Sequence, residues 1–418
     1  MATILIPAKP IPVIARTEVL VVGAGPAGLA AALGAARSGA DVLLLERFGF
    51  VGGQATAGLV LSLPPARRLG AEDPPVVMEP PTMAGAMTNE IHDRLVAMGG
   101  GRTGTQTEQW RSMWYPEELK CVGIEMLQAA GVRPLFHSLA VNALVDTSRD
   151  GATLRGIVVE SKSGRHAIVA RCVVDCSGDA DIAARAGVSF DQGDESGKML
   201  PVSLTFTVRG IESDRYEAWR ADHPEVSAAK VGWLNHVRGD EYLAMHGHIQ
   251  GVDGTDPWQL TRAENEARQG AMKKLEWLKE NVPGCERAYI ALTAPLFGVR
   301  DTRRIRGEYT LRESEMASGM VHRDHIGFVR EGKSVPYRSL VPLGVDNLLV
   351  AGRAIAQEYQ AVETTRAIPP CMVTGLAAGA AAALSSSDDI APRDLDIDRL
   401  QSRLREMGVI FPPGEWQP

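Results

Sequence analysis

The sequence predicts an α/β protein, in which helices flank a mainly parallel sheet and an α+β unit is inserted. Two stretches, 19–46 and 334–384, combine short apolar runs with helices made of small residues. The run 19–22 has no polar alternation, which is typical of a strand buried on both faces, as in parallel sheets. From residue 201 the chain changes to alternating and polar segments, and these indicate the inserted unit.

The first stretch contains three glycines in G-x-G-x-x-G spacing, Gly23, Gly25 and Gly28, between an apolar run and a helix predicted over 27–38. The first glycine permits a tight turn, the second lets the backbone approach a pyrophosphate, and the third lets the helix pack closely on the strand. The N-terminus of such a helix attracts phosphate charge. This context predicts dinucleotide binding by a Rossmann-like domain, whose binding turn also includes Pro26 and Ala27.

A second apolar run, 42–45, ends in Glu46, about 20 residues after the glycines. Its carboxylate is placed to accept hydrogen bonds from the ribose hydroxyls of the dinucleotide, and Arg47 stands beside it. The glycine-rich segment 47–58 is predicted to run its backbone amides past the pyrophosphate. The candidate cofactor contacts in this segment are Gly53, Gln54 and Thr56.

Composition argues against several other classes of protein. The net charge of −7, with no basic patch that offsets it globally, argues against nucleic acid as a partner. The longest apolar stretch, 377–384, is too short for a membrane span. Five cysteines without C-x-x-C spacing fit a reducing compartment, and the N-terminal segment lacks a signal-peptide pattern. We therefore expect a cytoplasmic protein without a membrane span.

Two histidine-containing segments contain parts of a metal-ligand set. One holds His246 and His248, and the other is the run HRDH at 322–325. Neither offers a complete set of ligands at helical or hairpin spacing. We therefore predict no metal site and expect these residues in surface loops.

The order of the segments predicts a nucleotide-binding domain that is interrupted once. Its first part is 1–200, an inserted substrate domain follows at 201–330, its final part is 331–390, and a C-terminal helix and tail occupy 391–418. The inserted domain includes a helix predicted over 261–280 with Thr261 as its N-cap. A proline-rich excursion at 62–85 is the kind of segment that forms lids or contacts between subunits, so a homo-oligomer is a further hypothesis.

In their order along the chain, the motifs resemble those of the FAD-dependent oxidoreductases, which are related to glutathione reductase and the succinate dehydrogenase flavoprotein. Four segments within 19–384 carry the resemblance: VVGAGPAGLAAALGAARSGADVLLLER, FVGGQATAGLV, VVDCSGDADIAARAG, and GVRDTRRIRGEY together with YRSLVPLGVDNLLVAGRAI. The resemblance implies a Rossmann-like FAD-binding domain with an inserted α+β substrate domain, and FAD as the cofactor.

The resemblance also implies roles for residues late in the chain. Gly178 and Asp179 correspond to a second turn on the nucleotide side, and Gly352 and Arg353 to a turn near the ribityl chain. The helix after Pro370 corresponds to one whose N-terminus faces the flavin pyrimidine ring and stabilises the reduced flavin. Further cofactor contacts are expected at Val141, Ser177, Cys371 and Met372.

The sequence departs from the family after the Gly352 turn. Members often carry a threonine–histidine pair there, whereas this chain reads QEYQ at 357–360. If that histidine is a catalytic base in relatives, either Glu358 or Tyr359 replaces it or the reaction differs, and Tyr337 is a third candidate base. No second G-x-G-x-x-G stands in the strand-to-helix context of an NAD(P)H site, and no C-x-x-C lies near the flavin motifs, so disulfide reduction is not expected.

Arginines are the candidates for binding an anionic substrate, because a guanidinium pairs with a carboxylate through two hydrogen bonds. Arg366, just ahead of the late helix, is the preferred residue, with pairing to Glu363 as the structural alternative. The segment 298–311 offers Arg303 and its neighbours Arg300 and Arg304, with salt bridges to Glu308, Glu313 or Glu315 as the alternative.

Together these features predict an FAD-dependent oxidoreductase that transfers hydride between a small organic substrate and flavin N5, as a dehydrogenase or oxidase. A flavin-dependent monooxygenase is one alternative, and it needs a route by which NAD(P)H reduces the flavin. A non-catalytic binding protein on the same fold is the other alternative, against which the intact glycines and Glu46 argue.

Overall fold

The structure is a computed structural model that describes residue 4 and residues 10–63, 85–102, 112–148, 151–226, 231–232, 234–330 and 333–411. The proline-rich excursion predicted at 62–85 lies outside these residues except at its two ends.

The described part of the chain opens with a strand–helix–strand unit and continues as a mixture of strands and helices. The strands are β1 (Val13–Val22), β2 (Val42–Leu45), β3 (Ser62–Leu63), β4 (Gly101–Arg102), β5 (Ser112–Trp114), β6 (Arg133–Leu135), β7 (Leu139–Ser148), β8 (Gly151–Ser161), β9 (Gly164–Asp175), β10 (Phe190–Gln192), β11 (Val202–Arg209), β12 (Leu234–Arg238), β13 (Glu241–Ile249), β14 (Tyr289–Thr293), β15 (Arg303–Ile305), β16 (His325–Arg330), β17 (Lys333–Pro336), β18 (Val345–Asp346) and β19 (Leu348–Val350). The helices are α1 (Pro26–Arg37), α2 (Gly85–Ala97), α3 (Pro116–Ala129), α4 (Asp181–Arg185), α5 (Ser213–Asp222), α6 (Pro224–Val226), α7 (Pro257–Asn281), α8 (Glu313–Ser318), α9 (Val362–Thr365), α10 (Ile368–Asp388) and α11 (Ile397–Glu406).

The main sheet has the strand order β18-β8-β9-β1-β2-β6, with β19 also beside β9 and β7 beside β8. The pairs β1–β2, β1–β9, β2–β6, β9–β19 and β8–β18 are parallel, whereas β7, β8 and β9 are joined antiparallel. The two predicted apolar runs lie side by side, with Val19 opposite Val42 and Val22 opposite Leu45. The predicted α/β, Rossmann-like fold class is confirmed.

Helices α1 and α10 pack against each other through glycines. A Cβ atom built on Gly375 would lie 2.0 Å from the Ala27 carbonyl oxygen, and one on Gly379 would lie 2.0 Å from the Ala31 carbonyl oxygen. Both contacts advance by four residues in the same sense, so the two helices run in the same direction. Their N-termini therefore lie at the same end of the sheet. Because the backbones approach so closely, only glycine fits at these two positions of α10.

The inserted region contains a four-stranded antiparallel sheet in the order β12-β13-β11-β14, which α7 contacts. Phe206, Tyr216 and Tyr242 are buried in a hydrophobic cluster of its own. The predicted N-cap of α7, Thr261, is wrong: the helix begins four residues earlier, and the Asp256 side chain caps it by accepting hydrogen bonds from two backbone N–H groups. Proline at the first helical position was the missed signal. The domain boundaries at residues 200 and 330 stay a prediction.

Helix α10 is long and apolar enough, by length and composition, to cross a membrane. It has 21 residues, and its most apolar 18-residue window has a mean hydropathy of 1.4. However, 94% of that window is buried inside the fold. In this structure α10 is the central core helix, in contact with α1, β9 and β16.

The expectation that residues 322–325 lie in a surface loop is wrong. His322, Asp324 and His325 are 3%, 5% and 0% exposed, because β16 and α11 enclose them. Burial, together with the nearby charge of Arg405, lowers the pKa of His325 to about 4. The imidazole is therefore neutral in the folded protein at neutral pH.

We expect the low pKa of His325 to make the protein less stable in acid. Between pH 6.5 and pH 4 the unfolded chain binds a proton at His325 that the folded chain does not, so the free energy of unfolding falls as the pH falls. The full effect is about 3 kcal/mol. We expect His325→Gln to lose less stability than the wild type between pH 7 and pH 4, measured by urea unfolding. Parallel pH profiles for the two proteins would contradict this assignment.

Candidate functional site

The N-terminus of α1 is open to a ligand. A Cβ built on Gly23 would lie 2.6 Å from the Cys176 carbonyl oxygen, and one on Gly28 would lie 1.7 Å from the Gly23 carbonyl oxygen. A Cβ on Gly25 would meet nothing within 4 Å, and no side chain caps the helix. Two of the three glycines are thus required by the packing of the protein itself, whereas the third keeps space free where the helix dipole is positive. This arrangement fits a pyrophosphate.

Glu46 is held in place at the end of β2. It is 7% exposed, and its carboxylate accepts hydrogen bonds from the backbone N–H groups of Ala24 at 2.7 Å and Phe48 at 2.9 Å. A carboxylate oxygen accepts more than one hydrogen bond, so Glu46 keeps capacity for ribose hydroxyls. The neighbouring Arg47 places its guanidinium 4.9 Å from the centre of the Phe48 ring.

The glycine-rich loop after β2 lies directly on the start of α1. A Cβ on Gly53 would come within 2.8 Å of the Gly25 Cα. Two of the predicted side chains also hold this loop: Gln54 Nε2 donates to the Phe297 carbonyl at 3.0 Å, and Thr56 Oγ1 donates to the Val51 carbonyl at 2.8 Å. Cofactor contacts at Gly53, Gln54 and Thr56 stay a prediction.

Asp175, at the end of β9, is a site residue that sequence reasoning missed. It is 1% exposed, and its carboxylate accepts four hydrogen bonds, from the Ser177 hydroxyl and from the N–H groups of Ser177, Ile182 and Ala183. These bonds fix the turn that includes Ser177. The available signal was an acid that ends an apolar strand, as Glu46 does.

Three distant segments meet at Asp179. Its carboxylate accepts from Thr302 Oγ1 at 2.6 Å and pairs with Arg353, while Arg303 donates to its carbonyl at 2.9 Å. A Cβ on Gly178 would lie 3.6 Å from the Arg353 guanidinium. The predicted turns at Gly178 and Gly352 are therefore neighbours. The Val141 carbonyl accepts from Arg185 Nε at 2.9 Å.

The N-terminus of α10 lies beside the Gly352 turn. The Gly352 N–H donates to Thr374 Oγ1 at 2.9 Å, and a Cβ at Gly352 would lie 3.8 Å from Cys371 Sγ. Burial raises the pKa of Cys371 to about 12, so it remains a neutral thiol. The Met372 sulfur accepts from the Thr88 hydroxyl at 3.9 Å. The structure thus brings the predicted late turn and the predicted late helix together.

The three candidate bases differ in their burial and in their hydrogen bonds. Tyr337 is 2% exposed and donates its hydroxyl hydrogen to the Pro392 carbonyl at 2.8 Å, so it does not reach an open site. The exposed Glu358 accepts from the Glu313 N–H at the start of α8. Tyr359 is half-buried, and burial raises its pKa, so it keeps its proton at neutral pH and donates rather than accepts. Tyr337 is thus enclosed by the protein, whereas catalytic roles for Glu358 and Tyr359 stay a prediction.

The predicted arginine partners are mostly wrong, because aspartates rather than glutamates pair with this segment. Arg303 pairs with Asp181 at 3.0 Å, and the buried Arg304 pairs with Asp301 at 2.8 Å. Arg303 is therefore not free to bind a substrate carboxylate.

Arg366 and Arg300 differ from these paired arginines. Arg366 pairs with Glu363 at 2.6 Å, which confirms the pairing given above as the structural alternative. Its Nε, however, is buried without a hydrogen-bond partner in the described part of the chain. Arg300 donates to the Pro201 carbonyl at 2.6 Å and contacts the Met245 sulfur at 3.5 Å. Among the described residues no carboxylate lies within 4 Å of it. Within the described ranges, Arg300 therefore has no carboxylate as a direct partner.

Among residues 10–63, 85–102 and the other described ranges, no group of three or more His, Cys, Asp or Glu side chains is arranged to hold a metal ion. A groove of about 520 Å³ lies between β13 and α7, lined by His246, His248, Arg262 and Glu266.

Comparison with known proteins identifies the family by sequence. The sequence profile of the FAD-dependent oxidoreductases matches residues 18–331 and 329–404. No curated protein matches the chain.

Comparison with solved structures gives matches at low identity. They include CabE, an aromatic hydroxylase from angucycline biosynthesis, with 15% identity and a TM-score of 0.47 over 94% of this chain and 66% of that chain. The anhydrotetracycline hydroxylase OxyS from Streptomyces rimosus has 12% identity and a TM-score of 0.45 over 94% and 66%. The p-nitrophenol 4-monooxygenase PnpA from Pseudomonas putida DLL-E4 has 13% identity and a TM-score of 0.49 over 94% and 89%.

This chain thus covers 66% of the length of CabE and of OxyS. At such identities and TM-scores these likenesses carry no information on substrate or reaction. The family match instead spans nearly all of the region that holds the open α1 terminus, Glu46 and the late turn. The chain belongs to the FAD-dependent oxidoreductase family, and FAD is its cofactor.

Proposed function

We propose that the protein is a dehydrogenase or oxidase that removes hydride from a small organic substrate. One observation carries the proposal: α1 and α10 run in the same direction, so both helix N-termini open at one end of the sheet. The first suits the pyrophosphate of a dinucleotide, and the second adds positive potential at the same end of the sheet. FAD, when bound, supplies the hydride acceptor of the reaction.

The residues that would hold the cofactor follow from the fit of the site. The open backbone at Gly25 would face the pyrophosphate, Glu46 would bind the ribose hydroxyls, and the Gly53 loop would cover the pyrophosphate. On the far side, the Gly178 and Gly352 turns would line the rest of the cofactor. Asp175 and Asp179 fix these turns through the hydrogen bonds described above.

The substrate would bind where the antiparallel sheet meets the N-terminal end of α10. Arg300 bonds to the residue before β11 and contacts Met245 of β13, and burial and then the like charge of Arg366, just ahead of α10, lower its pKa. Tyr359 lies near Arg304 in the same region, and as a protonated phenol it would donate a hydrogen bond to a substrate oxygen. These side chains would orient the substrate and restrict water.

The test is an anaerobic absorption experiment on the purified holoenzyme. Flavin bands that survive NADH and NADPH but bleach with a member of a panel of small alcohols, amines and hydroxy acids are the expected result. Rapid bleaching by NADPH would instead favour the monooxygenase, which needs a nicotinamide to reduce its flavin. Protein that stays colourless after incubation with FAD would favour the non-catalytic binding protein and overturn the proposal. Free FAD under the same conditions is the control.

A further inference from the structure

We propose that the substrate is an organic monocarboxylate whose carboxylate group pairs with Arg300, an inference that rests on the proposed function. The argument begins with the charges around the N-terminus of α10. Four arginines of this region have a carboxylate partner within the fold, in the pairs Arg303–Asp181, Arg304–Asp301, Arg353–Asp179 and Arg366–Glu363. In the described part of the chain, Arg300 has none within 4 Å.

Arg300 is placed as a binding group rather than as a solvated surface residue. Its side chain is only half-exposed, and it is anchored to the Pro201 carbonyl at 2.6 Å. Burial, and then the like charge of Arg366, lower the pKa of Arg300, and Glu363, the partner of Arg366, offsets only part of this effect. Leaving a desolvated cation without an anion is unfavourable, and a bound anion removes that cost.

A second unsatisfied donor lies in the same region. The Nε of Arg366 is buried without a hydrogen-bond partner among the described residues. The two arginine segments are tied together through Gln357, which accepts from Thr365 Oγ1 at 2.5 Å and from Arg304 Nε at 3.3 Å. The helix end itself adds positive potential but few donors, because its second and third residues are prolines and lack an N–H.

The chemistry of these groups selects a carboxylate. A guanidinium has five N–H donors in a planar fork that matches the two oxygens of a carboxylate. Arg300 uses one hydrogen bond for Pro201 and a weak contact for Met245, so donors remain. A single unpaired cation is neutralised by one negative charge, which favours a monocarboxylate over a dicarboxylate. Arg300 therefore holds the carboxylate and leaves the rest of the molecule to face the cofactor.

The experiment measures anion binding to the holoenzyme without turnover. Acetate, phenylacetate and benzoate are titrated by calorimetry and by their effect on the flavin spectrum, each beside its uncharged amide. We expect the wild type to bind at least one of the acids and to bind the matching amide more weakly. Arg300→Met should weaken binding of the acid roughly 10- to 100-fold and leave the amide unchanged. Arg300→Lys should restore part of the loss.

The matched control is Arg306→Met, because Arg306 belongs to the same segment but forms an exposed pair with Asp191. It should bind the acids as the wild type does. Failure of all three acids to bind the wild type, or equal binding by the Arg300→Met variant, would overturn the inference. If Arg300→Met changes the flavin reduction potential but not the binding of the acids, Arg300 acts on the flavin, and the inference is overturned as well. Because no turnover is measured, these results are separate from the NADPH test of the proposed function.

Discussion

Replacing Gly379 by alanine is expected to destabilise the fold by about 3 kcal/mol. The new Cβ would lie 2.0 Å from the Ala31 carbonyl oxygen. Because this oxygen belongs to the backbone of α1, no side-chain rotation can relieve the clash. The helices must then move apart, and the small residues between them lose their contacts. Urea unfolding followed by circular dichroism measures the change.

Gly123→Ala in α3 is the matched control for this variant. There the new Cβ would meet a methyl group of Val51 at 2.5 Å, and a side chain shifts more easily than a backbone. Both changes gain the same helix propensity, about 1 kcal/mol in favour of alanine. We therefore expect Gly123→Ala to change stability by about 1 kcal/mol at most. Equal losses in the two variants would mean that the approach of α1 and α10 is not the cause.

Replacing Gly25 by alanine should remove FAD without harm to the apoprotein. The backbone of Gly25 has an extended conformation that any residue adopts, and the new Cβ meets nothing in the protein. It would, however, occupy the space through which a pyrophosphate approaches the helix N-terminus. We expect FAD affinity to fall by ~100-fold, which corresponds to about 2.7 kcal/mol. FAD fluorescence titration of the apoprotein measures it.

Gly39→Ala gives the opposite pattern and serves as the control. Gly39 has φ of 95° after the end of α1, so alanine there is strained by about 1 kcal/mol although space is free. That variant should lose some stability and keep its FAD affinity. If Gly25→Ala binds FAD as tightly as the wild type, the pyrophosphate does not lie at the N-terminus of α1.

The sequence alone was sufficient for the nucleotide-binding half of the site. Glycine spacing, apolar runs and a terminal acid are local patterns within one short segment. Such patterns favour a strand–turn–helix unit without contributions from distant parts of the chain. The predicted β2 matches the observed strand at both ends, and α1 differs by one residue at each. The small residues of α10 likewise permit a close neighbour, and that neighbour is α1.

The partners of polar side chains could not be predicted in this way. Arg353 pairs with Asp179 across 174 positions, and Thr302 reaches the same carboxylate across 123. From the sequence Tyr337 is an ordinary candidate base. In the folded chain its hydroxyl donates to the carbonyl of Pro392, 55 residues later, and is covered there. Hydrogen bonds depend on distances of about 3 Å, whereas sequence patterns specify only faces and elements.

For this protein, then, the sequence determined the fold class, the cofactor class and the position of the pyrophosphate turn, because each rests on spacing within one short segment. Only the tertiary structure decided how the arginines of this region are paired. From the sequence Arg366 and Arg303 were preferred, but Glu363 and Asp181 pair with them, while no carboxylate of the described residues lies within 4 Å of Arg300. The reason is physical: whether an arginine is available to bind a ligand depends on which carboxylates lie beside it in the folded chain.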